Sequence, residues 1–498
     1  MKISDKIPGN HLPFVDLHCH PSLKPFGLAC PGITNNADAS LNNSIWHDDP
    51  PDYRNLKLEN ITGITRFSQS NFTALLQGKF KIVVAALSPI EKGFFPVKLK
   101  KNPVQHLIDN VVKRVHKSYL SLFIEDFMVG IGQKKIEFIR NNIDDFNELN
   151  CEYEFYRQLD NTPLIIYGKK VCYRLTSSYR DIEANIDSKK DILSVVLSIE
   201  GANLFSNDNS NPPDPVSVLS NIDLVKNWQH PPFFVTFCHH FYNYLGGQAR
   251  SLPHILAKRM DDRDGSDKGL NPLGEKVIHR LLCKTNGRRI YIDVKHMNRL
   301  VRKAYYGILD EKYSNEQIPV IVSHGALNGY PRLTDSPDNQ RERNGLFNGR
   351  DINFYDDEIV RIAKSDGIFG LQLDKRQITN KHEKNKITYR CCKKKRPGKW
   401  LQLVWNQIQY IADLLDSNNL PAWDITSLGT DFDGIISPID KYYTSDLLQN
   451  LFSDLLKYYA EDYVVHKTFR FLPNKLPAKD ILDKIFSKNA VAFLKKYY

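Results

Sequence analysis

Phe14-Val15-Asp16-Leu17-His18-Cys19-His20-Pro21 is an apolar run that ends in two histidines one residue apart. Successive side chains of an extended strand point to opposite faces, so His18 and His20 share one. Two imidazoles at the end of a buried strand make an opening pair of metal ligands. Two solvated loop histidines would read the same way, and the stretch alone does not separate the two. The ends of the later strands do.

Seven more short apolar runs follow. Phe80–Leu87 is the second. Ile192–Ile199 ends at Glu200-Gly201, Phe233–Cys238 at His239-His240, Arg289–Lys295 at His296, and Ile318–Ser323 at His324-Gly325. Gly367–Leu373 is the seventh, and Ile425–Thr430 ends at Asp431-Phe432-Asp433-Gly434. Helix-patterned segments lie between them, among them Val104–Ile124, Leu270–Lys284, Asp356–Ser365, Trp400–Leu415 and Ile481–Lys496. Eight strands alternating with helices predict an α/β chain folded as a (β/α)₈ TIM barrel. Near-continuous apolar strands suit a parallel sheet covered on both faces. Such a barrel carries its active site at the C-terminal ends of its strands, where these histidines and carboxylates fall.

The chain has 498 residues and is read as one domain, 1–498, with long insertions near 35–78, 103–160 and 374–399. An apolar share of 41% marks it as globular. Lys plus Arg is 68 against 57 Asp plus Glu, a net +11 that allows acidic partners without demanding nucleic acid. The basic loop from Lys375 to Lys393-Lys394-Lys395-Arg396 reads as a solvated excursion over the barrel mouth; with only Tyr389 and Trp400 near it, a base-stacking platform is poorly supported. Eight cysteines show no CxxC spacing. The first residues lack an apolar h-region and no stretch is long enough for a membrane span, so a cytoplasmic protein with reduced thiols is expected.

Two nearby zinc ions held by His and carboxylate lower the pKa of a shared water toward ~7. A carboxylate suits the bridging place because each of its oxygens can bind one ion. A second carboxylate is needed to carry the proton, and a donor to face the oxyanion. His18, His20, Glu200, His296 and His324 are candidates for the metal cage, Asp431 for the proton carrier and His239 for the oxyanion donor. His240, His279 and His11 are read as structural, Asp433 as a turn former, and Cys19 and Cys238 as buried and inert. Asp293 and Lys295, alternating with His296, are expected to point toward the surrounding helices.

Taken in order, the pieces resemble the membrane dipeptidase (renal dipeptidase) family of the amidohydrolase superfamily. They are Leu197-Ser-Ile-Glu200-Gly201, Val235-Thr-Phe-Cys-His239, Gly269-Leu-Asn-Pro-Leu-Gly274, Ile292-Asp-Val-Lys-His296, Pro319-Val-Ile-Val-Ser-His324, Gly429-Thr-Asp431-Phe-Asp433-Gly434 and Ile485-Phe-Ser-Lys-Asn-Ala. The resemblance spans nearly the whole chain apart from the insertions. It implies a binuclear zinc dipeptidase in which His18 and Glu200 hold the first ion, and Glu200, His296 and His324 the second. His239 would polarise the scissile carbonyl and Asp431 would be the acid/base. An arginine downstream of the last metal histidine would grip the substrate carboxylate, best matched by Arg350, with Arg341 and Arg343 as alternatives. The substrate implied is a small dipeptide or N-acyl amino acid, and the resemblance also implies a homodimer.

The chain departs from the family at the first strand, where His-x-Asp is usual and His18-Cys19-His20 stands here. Other amidohydrolases use His-x-His there, so one anionic ligand becomes neutral and metal binding survives. The insertions remodel the pocket mouth, where substrate choice lives. Two other readings therefore stand beside the dipeptidase: another amidohydrolase reaction such as a lactonase or deaminase, and a non-catalytic barrel binding an anionic partner. His and carboxylate ligands suit Zn²⁺, Mn²⁺ and Fe²⁺ alike.

Overall fold

The apolar runs become strands of a single sheet. The computed structural model describes residues 12–52, 54, 56, 65–95, 126, 129–141, 144–188, 190–207, 212–252, 262–334, 346–388 and 398–498. Among them the strands are β1 (Phe14–Cys19), β2 (Phe80–Leu87), β3 (Leu164–Ile166), β4 (Lys169–Leu175), β5 (Asp191–Glu200), β6 (Phe234–Thr236), β7 (Tyr291–Asp293), β8 (Ile321–Gly325), β9 (Ile368–Leu371) and β10 (Thr426–Leu428). His11, Arg341, Arg343, the run Val104–Ile124 and the basic run Lys393–Arg396 lie outside the described residues.

The sheet runs β1-β2-β5-β6-β7-β8-β9-β10, each neighbour on that path parallel to the next. Residues just past β10 close the ring onto β1: Cys19 bridges Phe432, the His20 amide donates to the Phe432 carbonyl at 2.9 Å, and the Asp431 amide donates to the His18 carbonyl at 3.0 Å. Asp16 braces the same seam by accepting from the Thr430 amide at 3.0 Å and the Thr430 hydroxyl at 2.6 Å. Burial lifts the Asp16 carboxyl to about 6 despite these bonds. The expected barrel of eight parallel strands is the fold found.

Two strands were not foreseen. β3 and β4 form an antiparallel hairpin, and β4 pairs parallel with the first half of β5, from Val171 opposite Asp191 to Leu175 opposite Val195. β6 takes the second half of β5, at Ile199 and Glu200. The hairpin therefore extends the sheet below the barrel ring and leaves the C-terminal end of β5 to β6.

Period-two alternation sorts the core into two layers. Val83, Ala85, Leu87, Leu193, Val195 and Leu197 pack outward with the helices. Val15, Ile82, Val84, Val196, Phe234, Ile321 and Ile368 pack inward and fill the barrel, together with Ala490, Phe493 and Leu494 of the last helix. The inward set comes largely from the strand starts, so the last helix plugs the N-terminal mouth and the C-terminal mouth is left for the site.

The outer helices used below are α1 (Asp145–Arg157), α2 (Pro272–Leu282), α3 (Arg299–Lys312), α4 (Asp356–Lys364), α5 (Gly398–Ser417) and α6 (Asn489–Tyr497). α2 shows why they start where they do. Asn271 caps it by accepting from the Gly274 amide, and Pro272 takes the first position, where no amide is needed. The final segment is expected as one helix but has three parts: Ala478–Asp483, a wider π turn over Lys484–Lys488, and α6. Asn489, at the end of the π turn, donates to the Trp423 and Thr426 carbonyls at 2.6 and 2.7 Å, tying this helix to β10. Among the described residues no helix is long and apolar enough to cross a membrane.

Candidate active site

Glu200 closes β5 inside the ring, 3% exposed, and five histidines converge on it. Its Oε1 lies 3.4 Å from His18 Nε2, 3.4 Å from His296 Nε2 and 3.6 Å from His324 Nε2. Its Oε2 lies 3.2 Å from His20 Nε2 and 3.3 Å from His239 Nε2. Asp431 Oδ1 stands 3.5 Å from His20 Nε2, and its Oδ2 stands 3.9 Å from His324 Nε2. The structure thus gathers His18, His20, Glu200, His239, His296, His324 and Asp431 from six strand ends into one buried cluster.

The cluster has no self-sufficient hydrogen-bond pattern. His18 and His20 bring ring nitrogens to 3.1 Å and His296 and His324 to 3.3 Å, while the His18 and His324 rings stack with centroids 4.0 Å apart. The Nδ1 atoms of His18, His20 and His296 and the Oε1 of Glu200 are buried without a hydrogen-bond partner. Burying so many polar groups unpaired costs ~1–3 kcal/mol each. The charges pull against one another too. Burial opposes charging of His20, but Glu200 and Asp431 outweigh it and raise the imidazole to about 10. Burial pushes His296 down to about 3 and His324 well below its usual value. Burial alone would raise Glu200, yet the surrounding imidazoles hold it well below the ordinary carboxylate range. A donor set of this chemistry fits divalent cations, with His18, Glu200 and His324, and Glu200, His239 and His296, within reach of common points. Three histidines face one Glu200 oxygen and two face the other, and a carboxylate has the two oxygens that holding two ions would need.

Local backbone sets these positions. His296 and Asp431 each sit three residues past the last ladder residue of β7 and β10, and both take left-handed backbone, φ +65° and +60°. Such conformations cost of order 1–3 kcal/mol and persist where the surroundings enforce them. A side chain at Gly434 would overlap the Asp431 carboxylate, so the absent Cβ leaves that carboxylate its room. Gly201 at φ +111° turns the chain directly after Glu200.

Lys295 is not where alternation places it. β7 ends at Asp293, and the chain then turns, so the period of two no longer applies at 295. Lys295 lines the cavity beside His296, His324 and Asp431, 1% exposed, and its Nζ has no hydrogen-bond partner. Burial lowers its ammonium to about 8, with Asp431 and Asp293 resisting. Asp293 likewise does not turn to the helices. It ties neighbouring strand ends by accepting from the Thr236 hydroxyl at 2.6 Å and from the Ser323 hydroxyl and amide at 2.6 and 3.0 Å.

Arg350 stays outside the cluster. It sits in the turn before α4, exposed as a whole but with its guanidinium partly enclosed by neighbouring residues, and that burial together with the charges of Arg250 and Arg376 lowers it. Its neighbour Asp351 is held by Arg302 of α3. Asp433 is structural as read, accepting from the Gln69 and Ser70 amides at 3.0 and 2.8 Å and pairing with Lys24 at 2.7 Å. His240 bonds Ser251 at 2.6 Å, His279 bonds Tyr313 at 2.9 Å, and Cys19 and Cys238 are buried.

Sequence reasoning missed Glu91. It lies in the loop after β2, where no strand end or motif singles it out. Its Oε1 is 2.7 Å from His239 Nδ1 and accepts from the His240 amide at 3.2 Å. Burial opposes charging of His239, but Glu200 and Glu91 together raise it above the usual histidine range. On its far side Glu91 lines a separate polar cavity of about 300 Å³ with Asp145, Asn203 and Tyr242.

No known family model matches this sequence, and no curated protein matches it. The fold does have solved counterparts. One is a dipeptidase described as a metallopeptidase of family M19, with TM-score 0.50 and 11% identity over 98% of this chain and 99% of that one. Another is a metallopeptidase from Rhodobacter sphaeroides, solved with a phosphinate mimic of the dipeptide L-Ala-D-Ala, with TM-score 0.50 and 11% identity over 98% and 100% of the two chains. At this identity the likeness is one of fold.

Proposed function

We propose that the chain is a metal-dependent hydrolase of the dipeptidase type, cleaving the amide of a dipeptide or N-acyl amino acid with two zinc ions. The observation that carries this is Glu200, buried, with three histidine nitrogens around one oxygen and two around the other. The full-length likeness of fold to metallopeptidases and the ordered resemblance in sequence support it. His18, His20, Glu200, His296 and His324 would hold the metals. When bound, the ion pair acidifies a water and polarises the amide carbonyl.

The chain's own groups do the rest. Asp431 stands at the edge of the cluster, its carboxyl raised by burial and by Glu200, and carries the proton from the water to the departing amine nitrogen. His239 lies between Glu200 and Glu91, which raise it toward its charged form against the effect of burial, and its Nε2 would face the oxyanion. Arg350 grips the α-carboxylate from the rim. Asp431→Asn and Glu200→Gln are each expected to lower kcat on a panel of dipeptides, Asp431→Asn by about 10²- to 10⁴-fold. Unchanged rates in both variants would sink the reading.

His20 in place of a carboxylate favours a second reading, another amidohydrolase reaction such as lactone hydrolysis or deamination. Turnover of lactones or amino-heterocycles, with none on dipeptides, decides for it.

A further inference from the structure

Two small cavities flank the ligand cluster at the barrel mouth. One, of about 30 Å³, is bounded by His296, His324 and Asp431. The other, of about 20 Å³, is bounded by His20, Glu200 and His239. Phe94, His240, Gly434 and Ile435 border both. In the reaction proposed above the two sides have different tasks. Asp431 serves the departing amine, so the amine half of a substrate belongs to the first cavity. Arg376 on that wall lies within electrostatic reach of Arg350, so this half continues toward the rim arginine. His239 serves the oxyanion, so the carbonyl and the group it carries belong to the second cavity.

Beyond the cluster itself, the wall of the second cavity is mostly apolar: Leu23, Ile90, Phe94 and Ile435. Its volume is little more than the ~10–15 Å³ that one water needs, so it admits a group of roughly one or two carbons. The wall is firm. The Phe94 ring stands edge-on to His240 and to Phe241, with centroids 5.2 and 5.3 Å apart, and packs in an apolar cluster with Phe95, Ile131 and Leu252. Gly93 lies so close to Phe241 that a Cβ there would come within 2.7 Å of the ring. Overfilling a packed wall costs about 1–3 kcal/mol. Charge is unwelcome there as well. Of the residues lining this cavity only Glu200 is a carboxylate, and its oxygens already face histidine nitrogens at 3.2 to 3.6 Å. An ammonium would lose its water and meet no free acceptor, whereas a methyl gains from the same surroundings.

We propose that Leu23, Ile90, Phe94 and Ile435 form the acyl pocket, so that the preferred substrates are amino acids with a short, uncharged acyl group on nitrogen, such as N-acetyl and N-propanoyl amino acids, ahead of dipeptides with a free amino terminus. This rests on the hydrolase reading above. Phe94 limits the length of the acyl group, and the lack of a free carboxylate among the lining residues sets its charge.

The test uses the metal-loaded protein and one amine half, alanine, carrying an acetyl, propanoyl, pentanoyl or glycyl group. N-propanoyl-alanine and Gly-Ala differ in little but the charge at the end of the acyl group. The expected kcat/KM is higher for N-propanoyl-alanine than for Gly-Ala by roughly tenfold or more, the cost of an ammonium without an acceptor. It is higher for N-acetyl-alanine than for N-pentanoyl-alanine by roughly 10- to 100-fold, and Phe94→Ala should raise the pentanoyl-to-acetyl ratio by about tenfold. Should Phe94→Ala fail to fold, Phe94→Leu and the two wild-type ratios still decide. A wild type that cleaves Gly-Ala as fast as N-propanoyl-alanine, or the pentanoyl compound as fast as the acetyl one, overturns the proposal. So does a pentanoyl-to-acetyl ratio left unchanged in a folded Phe94 variant. If none of the four compounds is hydrolysed, calorimetry with acetohydroxamate and pentanohydroxamate, chelating mimics of the acyl half, separates the two ideas. Tighter binding of acetohydroxamate, evened out in the Phe94 variant, upholds the pocket and refutes the hydrolase reading. Equal binding, or none, refutes both.

Discussion

Glu91 acts on the proposed reaction through His239. Two carboxylates flank that imidazole, Glu200 on Nε2 and Glu91 on Nδ1, the latter at 2.7 Å. With Nδ1 turned to Glu91, Nε2 points to Glu200 and the centre of the cluster, and the two carboxylates favour the imidazolium that an oxyanion needs opposite it. Glu91→Gln keeps an acceptor for Nδ1–H but removes the charge. Expected is a fall in kcat of about 10- to 100-fold, as for other supporting partners of site residues, with KM nearly unchanged. A rise in KM at constant kcat would place Glu91 in substrate binding instead. Nothing in the sequence marks Glu91, because loop positions carry no period. Lys295 was legible as a residue and illegible as a direction, since alternation ends with the ladder at Asp293. The histidines and Asp431 were legible because each follows an apolar run.

At the scale of elements, one buried cation sets the geometry of the rim. Arg302 of α3 lies 3.3 Å from Glu358 of α4, donates to the Asp351 carbonyl at 2.8 Å, and is capped by the Phe354 ring at 4.9 Å. Tyr306 adds a bond to Glu358 at 2.8 Å. The turn that carries Arg350 is therefore pinned to two helices. Removing one partner of a buried pair strands the other, a loss of about 3–5 kcal/mol. Arg302→Met should lower the melting temperature by several degrees and raise KM for carboxylate substrates more than it lowers kcat. An unchanged melt would show that Glu358 finds another partner or a proton, which its carboxyl, raised by burial to about 7, already favours. The strands and most helices were legible because burial on both faces writes continuous apolar runs and amphipathic stripes. The β3–β4 hairpin was not. Its β4, Lys169-Lys170-Val171-Cys172-Tyr173-Arg174-Leu175, is half exposed and mixes charge with apolar residues, and β3 is only three residues long.

For the whole molecule, the site and the barrel's closure are one structure. His18 and His20 follow β1, Asp431 follows β10, and their backbones bond to each other at 2.9 and 3.0 Å across the seam. Metal held by these residues would stabilise the closed ring, by about 4 kcal/mol at a free-metal concentration a thousand times Kd. Stripping the loaded protein with a chelator should lower its melting temperature by several degrees, and Glu200→Gln should abolish most of that difference. Identical melting of loaded and stripped wild type would show that the cluster holds no structural cation. The barrel as a whole was legible from the count and order of runs; its seam was not, because Asp16 and Thr430 are 414 residues apart and no local pattern links them. That distance has a consequence for biogenesis. During synthesis β1 emerges first and finds β2 early, but its other edge waits for nearly the entire remaining chain. For that interval it is an open, apolar template for pairing with another molecule. The nascent protein is thus open to clumping at β1 until β10 is made, and the arrival of β10 both removes that hazard and assembles the ligand cluster.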